Sequence, residues 1–447
     1  MDEPGFYQRL ISAGLSPDQA AVKAVLFSKA SALIEANPSA EFHYWFVPGR
    51  IEFLGKHTDY AGGRSLICTV ERGFCVVAAP RADDVIRITD ATRQESVELS
   101  ISPDLIPRAG HWSNYAATVA TRIAQNFPVA MRGADIVFIS DLPPAAGLSS
   151  SSALIIAVFQ VIAWVNNLTK RVEYKSNISS LEDLAGYLGT VENGQTFGSL
   201  IGRQGVGTFG GSQDHTAILC CKPGALSQYS FCPVRHENTI ALPNDYTFVV
   251  GCSGVSADKT GNALDKYNRV SLLAREVLWI WNKATSRKDE TLMAAISSQT
   301  YTADRIRKAI SSASSSSSDA ALLNRLEQFI EECVEIIPEV ARELAAGRVD
   351  RIGVLVDRSQ CAAERGLGNQ VPETIALARL ARELGAAASS AFGAGFGGSV
   401  WALVKADQAE SFAVEWADRY RNQFPKSAGG SQFFLTRAGP PVIDFEK

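Results

Sequence analysis

A chain of 447 residues is longer than one hydrophobic core usually serves, so two domains are expected. Hydrophobic residues at 46% and charged residues at 20% exclude a disordered chain and fit a globular enzyme. A net charge of -4 gives no general pull toward nucleic acid, and no apolar run approaches the roughly 18 residues of a membrane span.

The opening MDEPGFYQRL is acidic and lacks a basic segment followed by an apolar one, so no secretion signal is expected. Eight cysteines, at 68, 75, 220, 221, 232, 252, 333 and 361, form no CxxC pair, and with five histidines they suggest no zinc framework. Most lie in apolar runs such as GFCVVAA, as small buried hydrophobes in a reduced cytoplasm do.

Ser16, Pro17 and Asp18 have the form of a cap, a first-turn proline and an acidic first turn. They predict a helix to about Ala36 that buries Val22, Leu26, Ala30 and Leu33 and is stopped by Asn37-Pro38. Phe42, Tyr44 and Phe46 alternate as in a half-buried strand. That strand delivers the chain into Val47–Ser65, VPGRIEFLGKHTDYAGGRS, where Arg, Glu, Lys, His and Asp stand among glycines as in a binding loop.

Strands are expected at Phe74–Ala79, Val85–Thr89 and Ala134–Ser140, and helices at Ser113–Ala124, Ser152–Asn166 and Leu181–Glu192. Between the third of these strands and the second of these helices lies DLPPAAGLSSSSAL, Asp141–Leu154. Backbone N–H groups of Gly147–Ser151 converge there on a helix N-terminus, an anion site for nucleotide phosphates. Gly194–Gly211 shows neither period and reads as a loop, and His215–Cys220 and Phe248–Cys252 read as strands. From Asn262 to Glu383 the chain is mostly helical, with Val270, Leu273, Val277 and Ile280 on one face. Ser311–Ser318 interrupts it as a mobile surface loop. SAFGAGFGGS, Ser390–Ser399, contains G-x-G-x-x-G, but a strand-like SVWALV follows instead of a helix, which argues against a dinucleotide fingerprint.

Taken in order, the Val47, Asp141 and Ser390 stretches resemble the sugar-binding, phosphate-binding and C-terminal glycine motifs of the galactokinases, within the GHMP kinase superfamily. The resemblance implies an α+β two-domain GHMP fold with the active site in the interdomain cleft. Its domains would be 1–255, carrying the sugar loop, phosphate loop and catalytic aspartate, and 256–447, mostly helical with the glycine loop. It implies a sugar 1-kinase that uses ATP and Mg2+ and has a small-molecule sugar as its partner. Arg50 and Asp214 match the catalytic pair, and Lys56, His57, Asp59 and Tyr267 match the sugar-binding positions. Trp112 (in Trp112–Tyr115), Gly147, Ser149, Ser150, Ser151 and Gly395 match ATP-binding positions, while Ser151 and Glu192 match the metal-binding pair. Hard oxygen ligands of that kind suit magnesium.

The sequence departs from the family near the substrate. Lys56 stands where galactokinases have glutamate, Glu52 replaces asparagine, Gln213 replaces methionine and His215 replaces glutamine. An ammonium at position 56 suits a C6 carboxylate, which makes a uronic-acid 1-kinase an alternative to a galactose kinase; pairing of Lys56 with Glu52 would instead leave the pocket neutral. A non-catalytic ATP and sugar sensor is a third reading, against which the retention of Arg50 and Asp214 argues.

Overall fold

The computed structural model describes residues 1–34, 41–106, 108, 110–128, 131–257, 262–299 and 302–446. The Asn37-Pro38 helix stop lies outside the described residues. Apolar alternation and turns give strands β1 (His43–Leu54), β2 (Arg64–Pro80), β3 (Val85–Asp90), β4 (Glu95–Ser100), β5 (Ala134–Ser140), β6 (Ala225–Ser230) and β7 (Arg235–Ala241). They continue with β8 (Tyr246–Cys252), β9 (Ala388–Phe392), β10 (Ser399–Lys405), β11 (Gln432–Thr436) and β12 (Ile443–Asp444). The first sheet runs β12-β1-β2-β5-β3-β4, with β6 and β7 added beside β2. The second runs β11-β8-β10-β9. Among the described residues every strand pairing is antiparallel except β3 with β5.

Period-two alternation sends the two faces of β1 to different partners. Trp45 and Val47 share a core with the helix Ser150–Val165, whereas Phe46 faces Phe6, Leu10 and Phe27 of the helices Glu3–Ala13 and Pro17–Leu33. Further along β1, Phe53 stacks on Trp401 of β10 with centroids 4.1 Å apart, so the two sheets meet through one apolar seam. On its other face β10 buries Val400, Ala402 and Val404 against Leu377, Trp416 and Tyr420 of the helices Pro372–Glu383 and Ala409–Gln423.

Several expectations are corrected. The helix opening at Pro17 buries Ala20, Lys23, Ala24, Phe27 and Ala30, while Val22 and Leu33 are 45% and 53% exposed. Two anchors set that face. Phe27 stacks on Phe6, and the Lys23 ammonium reaches Asp141 at 2.6 Å across the sheet. Residues 213–220 form a helix, not a strand. β1 extends to Leu54, so Arg50 and Glu52 stand on a strand and only residues 55–63 turn. β8 pairs in the second sheet although it precedes residue 255, and β12 returns to the first, so neither sheet ends at that expected boundary.

The expected face of the helix Asn262–Thr285 is buried as read, with Val270, Leu273, Val277 and Ile280 all in apolar contact. The serine tract does not hang free. Ser316 and Ser317 both donate to the Glu276 carboxylate, and Ser318 caps the helix Asp319–Ile330. Cys232 and Cys361 are exposed, unlike Cys68, Cys75, Cys221, Cys252 and Cys333. Among the described residues no helix is long and apolar enough to cross a membrane.

Candidate active site

The seam between the sheets brings three glycine-containing stretches together. β1 approaches the phosphate loop so closely that a Cβ on Gly49 would lie 2.8 Å from the Leu148 carbonyl oxygen. From the other side, Ser399 donates to the Ala146 carbonyl at 2.6 Å, and Gly393 lies where a Cβ would come within 2.9 Å of the Gly147 oxygen. Ala145, Gly147 and Ser149 all have positive φ, a costly backbone for Ala and Ser that packing from both sides holds in place.

Two cavities meet at this junction, and Arg50 and Ala394 line both. The first is polar and acidic, lined by Glu52, His57, Asp59, Tyr60, Glu192, Gln213, Asp214 and Tyr267 among others. The second, of about 350 Å³, is lined by Trp112, Tyr115, Phe138, Gly147, Ser149, Ser150 and Ser151. Its serine edge is the N-terminus of the helix Ser150–Val165, and the Ser149 hydroxyl is buried there with no hydrogen-bond partner. An unpartnered hydroxyl beside unsatisfied helix N–H groups fits an anionic phosphate.

Arg50 joins the two spaces. Its Nε donates to Asp214 Oδ1 at 2.7 Å and its Nη1 to the Gly147 carbonyl at 2.6 Å. Asp214 stands in the first turn of the helix Gln213–Cys220, so the bond ties that helix to β1 and to the phosphate loop. Asp59 accepts from the backbone N–H of Tyr60 at 2.9 Å and of Gln213 at 3.0 Å. His57 has positive φ, and its ring meets Tyr60 Oη at 3.2 Å and the Ala394 carbonyl at 3.1 Å. Burial pushes the Tyr60 hydroxyl up to about 12 and holds that of Tyr267 well above the usual phenol range. Both therefore remain neutral hydrogen-bonding groups at physiological pH.

The structure brings together Arg50, His57, Asp59, Glu192, Asp214 and Tyr267 in the first cavity, and Trp112, Gly147, Ser149, Ser150 and Ser151 in the second. Two expected residues lie elsewhere. Gly395 lies against Asn369, where a Cβ would meet the Asn369 oxygen at 2.3 Å, and lines neither cavity; Ala394 takes that place. Lys56 is only 1% exposed and does not line the first cavity; its Nζ donates to Ser359 Oγ at 3.1 Å. Among the described residues no ion pair joins Lys56 to Glu52. Ser151 lines the second cavity and Glu192 the first; the Glu192 carboxylate accepts from Ser152 Oγ at 3.0 Å, and His215 Nε2 lies 3.5 Å from it.

One functional layer is absent from the sequence reading. Arg325 and Gln328 on the helix Asp319–Ile330, with Glu332 on the π-helical turn that follows, grip the backbone of residues 55–57. Arg325 donates to the His57 carbonyl at 2.5 Å, Gln328 to the Lys56 carbonyl at 3.3 Å, and Glu332 accepts from the Gly55 N–H at 2.7 Å. The spacing i, i+3, i+7 on an amphipathic helix was the available signal, though only the fold says what that face meets.

Comparison with known proteins fits this geometry. Residues 35–80 match the galactokinase galactose-binding signature, 114–220 the GHMP kinases N terminal domain, and 340–422 the GHMP kinases C terminal domain. The galactokinase of Glaesserella parasuis serovar 5 is 25% identical over 85% of this chain and 89% of its own length. That of Roseiflexus sp. is 27% identical over 85% and 88%. The crystal structure of Lactococcus lactis galactokinase complexed with galactose superposes with a TM-score of 0.76 at 20% identity, covering 94% of this chain and 99% of that one.

The chain belongs to the galactokinase family of the GHMP kinases. It is therefore a kinase, with the α+β fold of that superfamily. Against that background Glu52 is the unusual group. It is 2% exposed, and burial pushes its carboxyl up to about 8 against the pull of Arg50 and Lys56, with Glu332 and Asp214 adding to the rise. A carboxyl with a raised native pKa keeps a proton that the unfolded chain has released, so stability falls as pH rises from about 4.5 to about 8. Glu52→Gln is accordingly expected to unfold at a higher temperature than the wild type at pH 8, by on the order of 3 °C, with the gap closing toward pH 5. Calorimetry at a series of pH values measures this; a constant gap would contradict it.

Proposed function

We propose that the protein transfers the γ-phosphoryl group of ATP to the anomeric hydroxyl of galactose, forming galactose 1-phosphate and ADP. The observation that carries this reading is the Arg50–Asp214 pair at 2.7 Å, held at the junction of the two cavities by the Gly147 carbonyl. A carboxylate there can accept the hydroxyl proton as the O1–P bond forms and the bond from the γ-phosphorus to the bridging oxygen breaks. The adjacent guanidinium stabilises charge on the phosphoryl in transit. Alignment of this kind contributes roughly 7–11 kcal/mol in well-aligned cases.

His57, Asp59 and Tyr267 hold the sugar, and the backbone N–H groups of Gly147–Ser151 hold the phosphates, with Trp112 beside the adenine. Ser151 and Glu192 supply hard oxygens for Mg2+, which would neutralise phosphate charge when bound. All eight cysteines are free, which supports a cytoplasmic setting.

The test is ATP-dependent phosphorylation by the purified protein across galactose, glucose, arabinose, N-acetylgalactosamine, galacturonate and glucuronate. Turnover of galactose with the uronates inert is expected; turnover confined to uronates would overturn the reading. Because Lys56 is directed at Ser359 and not at the pocket, Lys56→Met is expected to leave the galactose-to-galacturonate ratio of kcat/KM within about threefold of wild type. A larger shift in that ratio would show that the Lys56 charge reaches the substrate.

A further inference from the structure

Glu52 is buried on β1, two residues from Arg50, and lines the acidic cavity. Its Oε1 has no hydrogen-bond partner. The bonds made by the nearby charged groups go to other residues. Arg50 spends Nε on Asp214 and Nη1 on Gly147, Lys56 spends Nζ on Ser359, and Glu332 accepts from the Gly55 and Lys56 N–H groups. A buried polar atom left without a partner is destabilising, and a ligand hydroxyl that reaches it recovers that loss as binding energy.

We infer that Glu52 is a specificity-determining residue of the sugar pocket, its carboxyl hydrogen-bonding one hydroxyl of the bound sugar; the inference rests on the sugar-kinase reading above. The charged groups facing it are Arg50, Lys56, Glu332 and Asp214, two cations and two other acids, so no single counter-ion claims the carboxyl. Burial favours the protonated acid, which can both donate to and accept from a hydroxyl. Lys56 does not line the cavity and its Nζ donates to Ser359, so a neutral hydroxyl is a better match for Glu52 than a sugar carboxylate.

The experiment measures kcat and KM for galactose and for its 2-, 3-, 4- and 6-deoxy derivatives with wild type, Glu52→Met and Glu52→Gln. The wild type is expected to penalise one of the deoxy sugars by about 10- to 100-fold in kcat/KM through that hydroxyl. Glu52→Met, similar in volume, should erase the penalty for that sugar alone by raising KM for galactose, and Glu52→Gln should restore it because an amide also donates and accepts. Every deoxy penalty unchanged in Glu52→Met would overturn the inference and leave the kinase reading standing. A wild type that phosphorylates none of the five sugars would overturn both. A measurement on foldable protein stands beside the kinetics: the infrared difference spectrum on adding galactose should contain a carboxyl band that is missing in Glu52→Gln. Identical spectra for the two proteins would count against Glu52 as the contact.

Discussion

Replacing Asp214 by alanine is expected to lower kcat about 10²- to 10⁴-fold while the Kd for ATP stays within about twofold. The Asp214 side chain faces the acidic cavity from the first turn of its helix and takes no part in the lining of the nucleotide cavity. Its removal takes away the carboxylate opposite Arg50 without touching the serine loop or Trp112. Arg50→Ala should be nearly as damaging, and the double variant little worse than either, because the 2.7 Å pair works as one unit. Steady-state kinetics with galactose and calorimetric titration with ATP read the two effects separately. Unaltered turnover in Asp214→Ala would remove the catalytic assignment, and loss of ATP binding would mean that the residue instead holds the two cavities together.

Which parts of this site were legible in the sequence follows from how local each one is. The strand, loop and helix order around Asp141–Leu154 is carried by neighbouring residues, and the structure keeps it as β5, loop and the helix Ser150–Val165. Within the run of four serines, however, only helical phase decides that Ser152 is the one whose hydroxyl meets Glu192, and identical residues do not announce that phase. The segment HTAILC failed for a related reason. A short apolar run with β-branched residues satisfies strand and helix alike, and here packing onto β1, β2 and the helix Leu181–Asn193 favours the helix. β7 is mostly exposed and polar, with little apolar alternation to read, and β6, though buried, carries two serines and a glutamine among its six residues, ALSQYS.

Lys56 shows the longest reach of the problem. Its character suggested a ligand for a substrate carboxylate, yet its partners come from Ser359 and from the neighbourhood of Glu332, some 300 residues later in the chain. Nothing within the sugar loop reports that a helical layer will pack behind it. The same layer, through Arg325, Gln328 and Glu332, fixes the backbone of the loop behind a pocket that Glu52, on the strand before it, lines together with Asp59, Glu192 and Asp214.

That fixed backbone is why Gly211→Ala should be the most damaging change outside the catalytic pair. A Cβ at position 211 would fall 2.4 Å from Asp59 Oδ2 and 2.8 Å from the Tyr60 backbone nitrogen. The carboxylate cannot step aside without giving up its bonds from Tyr60 and Gln213, and the Tyr60 backbone is tied through His57 to Arg325. Overpacking and displaced charged hydrogen bonds together are worth about 3–4 kcal/mol, so kcat/KM for galactose should fall about 10²- to 10³-fold, chiefly through KM. Gly210→Ala is the graded control, since its Cβ meets only the Tyr267 hydroxyl, at 2.7 Å, and that ring can shift. Gly429→Ala, with no atom within 4 Å of its Cβ, should be silent. Kinetics that rank the three variants 211, 210, 429 in severity would tie Asp59 to the sugar; a normal KM in Gly211→Ala would mean that Asp59 does not touch it.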